Sequence, residues 1–119
     1  MKELFLHQKH KRAILSRRKT RTIQLSKKLA NKFKRGNKIR IGIEIGTNQK
    51  KFLAEAIITS VKFKRIRNLT KQDISGGNPK TKTKQDLIKS LGFYYKKKLG
   101  RDLQPDDVMS VIRWKYTIS

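Results

Sequence analysis

The sequence predicts an α+β fold, a small mixed or antiparallel β-barrel with helices packed on it. Three features carry that prediction. Residues 39–45, IRIGIEI, alternate without a break, so Ile39, Ile41, Ile43 and Ile45 share one strand face and Arg40, Gly42 and Glu44 the other. Residues 52–63, FLAEAIITSVKF, supply a second long strand that can pair antiparallel with the first across the polar connection 46–51. Further on, Leu87, Leu91 and Tyr95 recur at four-residue spacing with Ile88 alongside, the apolar stripe of one helix.

The remaining elements follow in chain order. Leu4, Phe5 and Leu6 form a short apolar run that reads as a strand, and Ala13, Ile14 and Leu15 anchor a short helix with a basic outer face. TRTIQL, residues 20–25, reads as a strand because Thr and Ile favour the pleated conformation and its residues alternate. Gly36 and Asn37 mark a turn. In residues 75–84, SGGNPKTKTK, the breakers Gly76, Gly77, Asn78 and Pro79 stand beside Lys and Thr, which predicts a mobile loop. Thr83 and Asp86 resemble a capping box at the start of the long helix, and Gly100 ends it. After a turn at Pro105, Asp106 and Asp107, VMSVIRWKY closes the chain as a strand with Val108, Ser110, Ile112 and Trp114 on one face.

A chain of 119 residues fits one domain, 1–119, with a single core. Its charge is the first functional clue. Thirty-two Lys and Arg face eight Asp and Glu, a net charge of +24, and self-repulsion on that scale calls for a polyanionic partner. Residues 1–40 hold fifteen of the cations and one acid, Glu3, and are the more basic surface. No stretch approaches the roughly 18 apolar residues of a membrane span, and no apolar signal region follows the first cations, so a cytoplasmic protein is expected. The absence of Cys excludes disulfides, thiolate zinc sites and a Cys nucleophile. A Cys-free chain rich in Lys and Ile is compatible with a thermophilic source.

ILSRRKTRTIQ, FKRGNKIRIG, LTKQDI, a helix ending in Tyr, and DDVMSVIRWKY follow one another over about residues 4–116. In that order and spacing they resemble the landmarks of the ASCH domain, whose fold is similar to the PUA barrel. The family signature, Gly-x-Lys-x-x-Glu/Thr-x-Arg, lines a cleft for RNA or a nucleotide, and some members cut RNA or hydrolyse an acylated cytidine. Here the four positions fall on Arg17, Lys19, Thr22 and Gln24: Lys19 and Thr22 match, while Arg17 replaces the Gly and Gln24 the Arg. The Glu used by amidohydrolase-type relatives falls on Gly77, and the usual Gly-Asp turn is Gly36-Asn37, so two acidic groups are missing.

Those losses favour anion binding over hydrolysis, which needs a group to shuttle protons. Burial or neighbouring Arg17, Arg18 and Arg21 could lower the Lys19 pKa into the range of a base, and Thr22 could serve as nucleophile or position a water. An RNase or amidohydrolase built on Lys19 and Thr22 is therefore the alternative reading, and a DNA-binding regulator a further one. His7 and His10 lack a third ligand, so no metal is expected. Gly76-Gly77 lacks the GK[ST] of a nucleotide loop and reads as a turn, and no cofactor is expected. Trp114, Tyr94 and Tyr95 sit at core spacing, which leaves Tyr116 as the freer aromatic for stacking on a base.

From Arg12 to Arg35 no acidic residue interrupts the cations, unlike a solvated face of mixed sign. Contacts to RNA are expected from Lys9, Lys11, Arg12, Arg17, Arg18, Lys19, Arg21, Thr22, Gln24, Lys27, Lys28, Lys32, Lys34 and Arg35, and from Lys80, Lys82 and Lys84 of the loop. No helix-turn-helix, zinc finger or basic zipper is present, so RNA is the expected partner rather than DNA. The expectation is a non-catalytic RNA-binding protein, with ribosomal RNA and neighbouring ribosomal proteins as partners.

Overall fold

The computed structural model describes residues 1–25, 31–74 and 83–117, the side chains of Phe93, Tyr94 and Lys98 excepted. Strands β1 (Lys2–His7), β2 (Arg21–Gln24), β3 (Lys38–Ile45), β4 (Gln49–Arg65) and β5 (Val108–Tyr116) form one sheet in the order β1-β3-β4-β5-β2. β1 runs parallel to β3 and every other pair is antiparallel. The helices are α1 (Lys11–Leu15), α2 (Lys71–Ile74) and α3 (Lys84–Leu99), with 3-10 turns at Gln8–His10 and Ile66–Asn68.

The alternation of IRIGIEI places Ile39, Ile41 and Ile43 in the interior, where β1 sets Leu4 opposite Ile41 and Leu6 opposite Ile43. Gly42 sits on the other face, at a register shift between β3 and β4. A Cβ there would lie 2.5 Å from the Lys51 carbonyl oxygen and 3.0 Å from the Phe5 ring, so only Gly admits the close approach. Above it Phe5 and Phe52 pack with ring centroids 5.3 Å apart.

β5 is buried on both faces, where the sequence predicts one apolar face. Ile112 and Trp114 join Leu4, Leu6, Ile14 and the β3 isoleucines, while Met109 and Val111 join Ile66, Leu69, Ile74, Leu87 and Leu103. Helices α2 and α3 supply that second cluster, so Met109 and Val111 read as the outer face only until the helices are placed.

Both predicted ends of α3 form. Asp86 N donates to Thr83 Oγ1 at 3.1 Å and Thr83 N to Asp86 Oδ2 at 3.3 Å, and Gly100 at φ 68° donates its N–H to the Lys96 carbonyl. α2, which no periodicity announces, begins with the same device: Asp73 N donates to Thr70 Oγ1 and Thr70 N to Asp73 Oδ2. The loop of Gly76, Gly77, Asn78, Pro79, Lys80 and Lys82 lies outside the described residues, as do Lys27 and Lys28. Among the described residues no helix is long and apolar enough to cross a membrane.

Candidate nucleic-acid interface

The sheet curls until its two edges, β1 and β2, face each other across a cleft of about 520 Å3. Phe5, Leu6 and His7 of β1 form one wall, Thr22, Ile23 and Gln24 of β2 the other, and Leu91 and Tyr95 of α3 a third. Lys9, His10 and Glu44 also line it, and Glu44 is the sole carboxylate among the described residues there.

What delivers RRKTRTIQ to this cleft is the way α1 ends. Arg17 takes a left-handed backbone, φ 63°, Arg17 N donates to the Ile14 carbonyl, and Arg18 N to the Ala13 carbonyl. That pair of bonds is a Schellman cap, whose left-handed position is usually glycine. Arg17 lies at the position where the resemblance to the ASCH signature puts Gly, and it takes a backbone that glycine adopts without strain. The Arg17 guanidinium sits 4.9 Å from the Tyr116 ring centre. The Tyr116 hydroxyl donates to the Lys19 carbonyl. Tyr116 is thus half-buried and committed to this turn, not the free stacking aromatic expected.

The reversal splits the strip. Arg17 and Arg18 stay exposed, Lys19 turns inward with 3% of its surface accessible, and Thr22 is buried while Gln24 is half-buried. Gln24 Nε2 donates to Thr22 Oγ1 at 3.3 Å, a contact that sets both on the cleft wall. Arg21 goes to the opposite face of β2, because adjacent strand residues alternate. Lys19 is therefore not part of a surface strip; the cap at Arg17 carries it inside.

Burial, with the Lys9 charge added, lowers the Lys19 pKa from 10.5 to about 8. His10 is partly buried, and burial, with Lys19, Lys9 and His7, pushes its pKa down to about 3. It is a neutral imidazole at neutral pH. Among the described residues no group of three His, Cys, Asp or Glu is placed to hold a metal. Elsewhere Lys9, Lys11, Arg12, Lys32, Lys34, Arg35 and Lys84 are exposed. Lys84 Nζ donates to the Arg67 carbonyl at 2.7 Å.

Sequence reasoning missed a second charged centre. Asp73, 0% exposed, accepts from Arg113 Nη2 at 2.6 Å, Lys64 Nζ at 2.8 Å, Thr70 N at 2.9 Å and Thr70 Oγ1 at 3.1 Å. These bonds hold its pKa well below the usual carboxylate range, although burial alone would raise it. The Thr70-x-x-Asp73 spacing is the signal that could have found it.

No family model and no curated protein sequence matches the chain. Solved structures do. An ASCH domain from Lactobacillus crispatus JV V101 superposes with a TM-score of 0.71 at 14% identity, over 97% of this chain and 79% of that one. Protein EF3133 from Enterococcus faecalis V583 gives 0.70 at 14% identity, over 98% and 80%. The hypothetical protein PH0355 gives 0.67 at 17% identity, over 98% and 100%. At such identities a superposition of nearly the whole chain speaks for the fold alone: this chain folds as an ASCH-like domain.

Proposed function

We propose that the chain is a non-catalytic RNA-binding protein, held on ribosomal RNA beside neighbouring ribosomal proteins. The observation that carries this reading is the net charge of +24. Exposed Lys9, Lys11, Arg12, Arg17 and Arg18 occupy one stretch of chain that ends at the buried Lys19. Each cation set against a phosphate releases condensed counterions, which is the dominant source of affinity for a polyanion. The cleft suits a single nucleotide in volume, and Lys9, Thr22 and Gln24 supply donors along its lining, with the buried Lys19 close enough to His10 of that lining to act on its charge. Lys9 and burial act on the Lys19 amine, and no carboxylate among the described residues is among the causes of its shift. That supports holding an anion more than moving a proton.

Co-sedimentation tests it. The native protein is expected to travel with ribosomal subunits in a low-salt gradient and to dissociate as salt rises. If it stays at the top while subunits migrate, the ribosomal assignment fails.

One observation favours a second reading. A buried amine with a pKa near 8 and a buried Thr hydroxyl three residues on are the residue types a hydrolase would need for a base and a nucleophile. Turnover of RNA or of acylated cytidine by the pure protein, abolished in Lys19→Ala, would establish it in place of the first.

A further inference from the structure

On the face of β2 turned away from the cleft, Arg21 stands directly opposite Arg113 of β5. Like charges set across a strand pair repel. Both guanidiniums, with Lys64, gather about the single carboxylate of Asp73, three cations to one anion. Asp73 has little left to offer, since its oxygens already accept four bonds from Lys64, Arg113 and Thr70. Arg21 Nε and Nη1 and Arg113 Nε are buried and have no hydrogen-bond acceptor. Buried donors are ordinarily paired, and unpaired charged ones cost the most.

We propose that Arg21, Arg113 and Lys64 form a phosphate-binding subsite, separate from the cleft and on the opposite face of β2. A phosphate group supplies several acceptor oxygens and negative charge, one unit as an RNA diester and up to two as the free anion, which answers both the orphaned donors and the surplus of cations. Asp73 then has a positioning role: it holds Arg113 and Lys64 in place by direct bonds and leaves the nearby Arg21 without an acceptor of its own. β2 would thereby present anion-binding groups on both faces, Thr22 and Gln24 inside and Arg21 outside. The phosphate could be a free anion or part of an RNA chain; the RNA source rests on the function proposed above, the subsite itself does not.

The test is thermal unfolding of the wild type and of Arg21→Gln in inorganic phosphate and in chloride at equal ionic strength. Phosphate is expected to raise the wild-type Tm by about 4 °C or more, as saturation of a native-state site should. Arg21→Gln is expected to lose that rise, yet to match or exceed the wild type in chloride, because it relieves the repulsion with Arg113. A wild-type Tm indifferent to phosphate, or a variant that keeps the rise, overturns the subsite. So does a variant that is less stable than wild type in chloride, which would make Arg21 a structural cation. The same variant titrated with an RNA oligonucleotide identifies the source. A log–log salt slope reduced by about one assigns the phosphate to RNA, and an unchanged slope beside a lost phosphate rise assigns it to a free anion. RNA binding without any phosphate response leaves the proposed function standing and removes the subsite.

Discussion

Arg17 holds a left-handed backbone at φ 63° while its guanidinium lies 4.9 Å from the centre of the Tyr116 ring. The two facts have opposite signs in energy. A non-glycine residue in that region costs roughly 1–2 kcal/mol, and an exposed cation–π contact returns about 0.5–1 kcal/mol. Arg17→Ala removes the contact and keeps the strain, whereas Arg17→Gly removes both. The Gly variant is therefore expected to be more stable than the Ala variant by about 1 kcal/mol in urea unfolding. Equal midpoints would show that the cap stores no strain.

Lys19 makes stability and binding respond to pH in opposite directions. Its folded pKa of about 8 lies below its ordinary 10.5, so the unfolded chain binds more protons between these values. Stability should rise as pH climbs from about 8 to 10.5, and the penalty for burying the charge is fully present below pH 8. Lys19→Met is expected to be more stable than wild type near pH 7, by on the order of 3 kcal/mol, with the difference vanishing above pH 10.5. Affinity for RNA should fall as pH rises through 8, because the amine loses its charge. A hydrolase using Lys19 as base would instead gain rate through the same interval, so one pH series separates the two readings.

His10 governs the acid side. Its folded pKa of about 3 lies below the ordinary 6.5, so protons favour the unfolded chain and stability is lost as pH falls below 6.5. Asp73 and Asp107, whose pKa values are also depressed, add to the loss only at lower pH, near and below the carboxylate range. Between about pH 6.5 and 4.5 the decline should therefore belong to His10. His10→Gln is expected to flatten the Tm profile across that window and to stay above the wild type at lower pH, because the penalty for protonating His10 grows until its folded pKa of about 3 is reached. A variant profile that parallels the wild type would mean that the imidazole is solvated when protonated.

Local signals were legible and long-range ones were not. The β3 alternation, the Thr83–Asp86 cap and the Gly100 terminator each depend on residues within four positions, so chain chemistry alone announces them. The parallel pairing of β1 with β3 joins residues 37 apart, such as Leu4 and Ile41, and nothing local encodes it. The second apolar face of β5 becomes intelligible only with α2 and α3 in place. In the site, the signature positions Lys19, Thr22 and Gln24 were readable, but composition cast Lys19 as a surface cation. The left-handed cap at Arg17 precedes its burial, and an Arg at that position does not advertise a left-handed backbone. Arg21 and Arg113 meet Asp73 across three separate elements, which no spacing rule reaches.

Asp73→Asn tests the centre on which the far face of β2 depends. The substitution preserves shape and leaves Lys64, Arg113 and Arg21 without their carboxylate. Removing one member of a buried charge pair costs about 3–5 kcal/mol, because the stranded charge stays desolvated. Lys64 and Arg113 retain about a quarter of their side-chain surface, so the lower part of that range is expected. The loss should shrink in phosphate at fixed ionic strength, since an anion can replace the missing charge. It should also shrink in the double variant Asp73→Asn with Arg113→Met, in which one of the stranded cations is gone while Lys64 and Arg21 remain. Urea unfolding of the four chains of this cycle measures the coupling. Additive losses would mean that Asp73 acts through its bonds to Thr70 at the start of α2, and not through the cations.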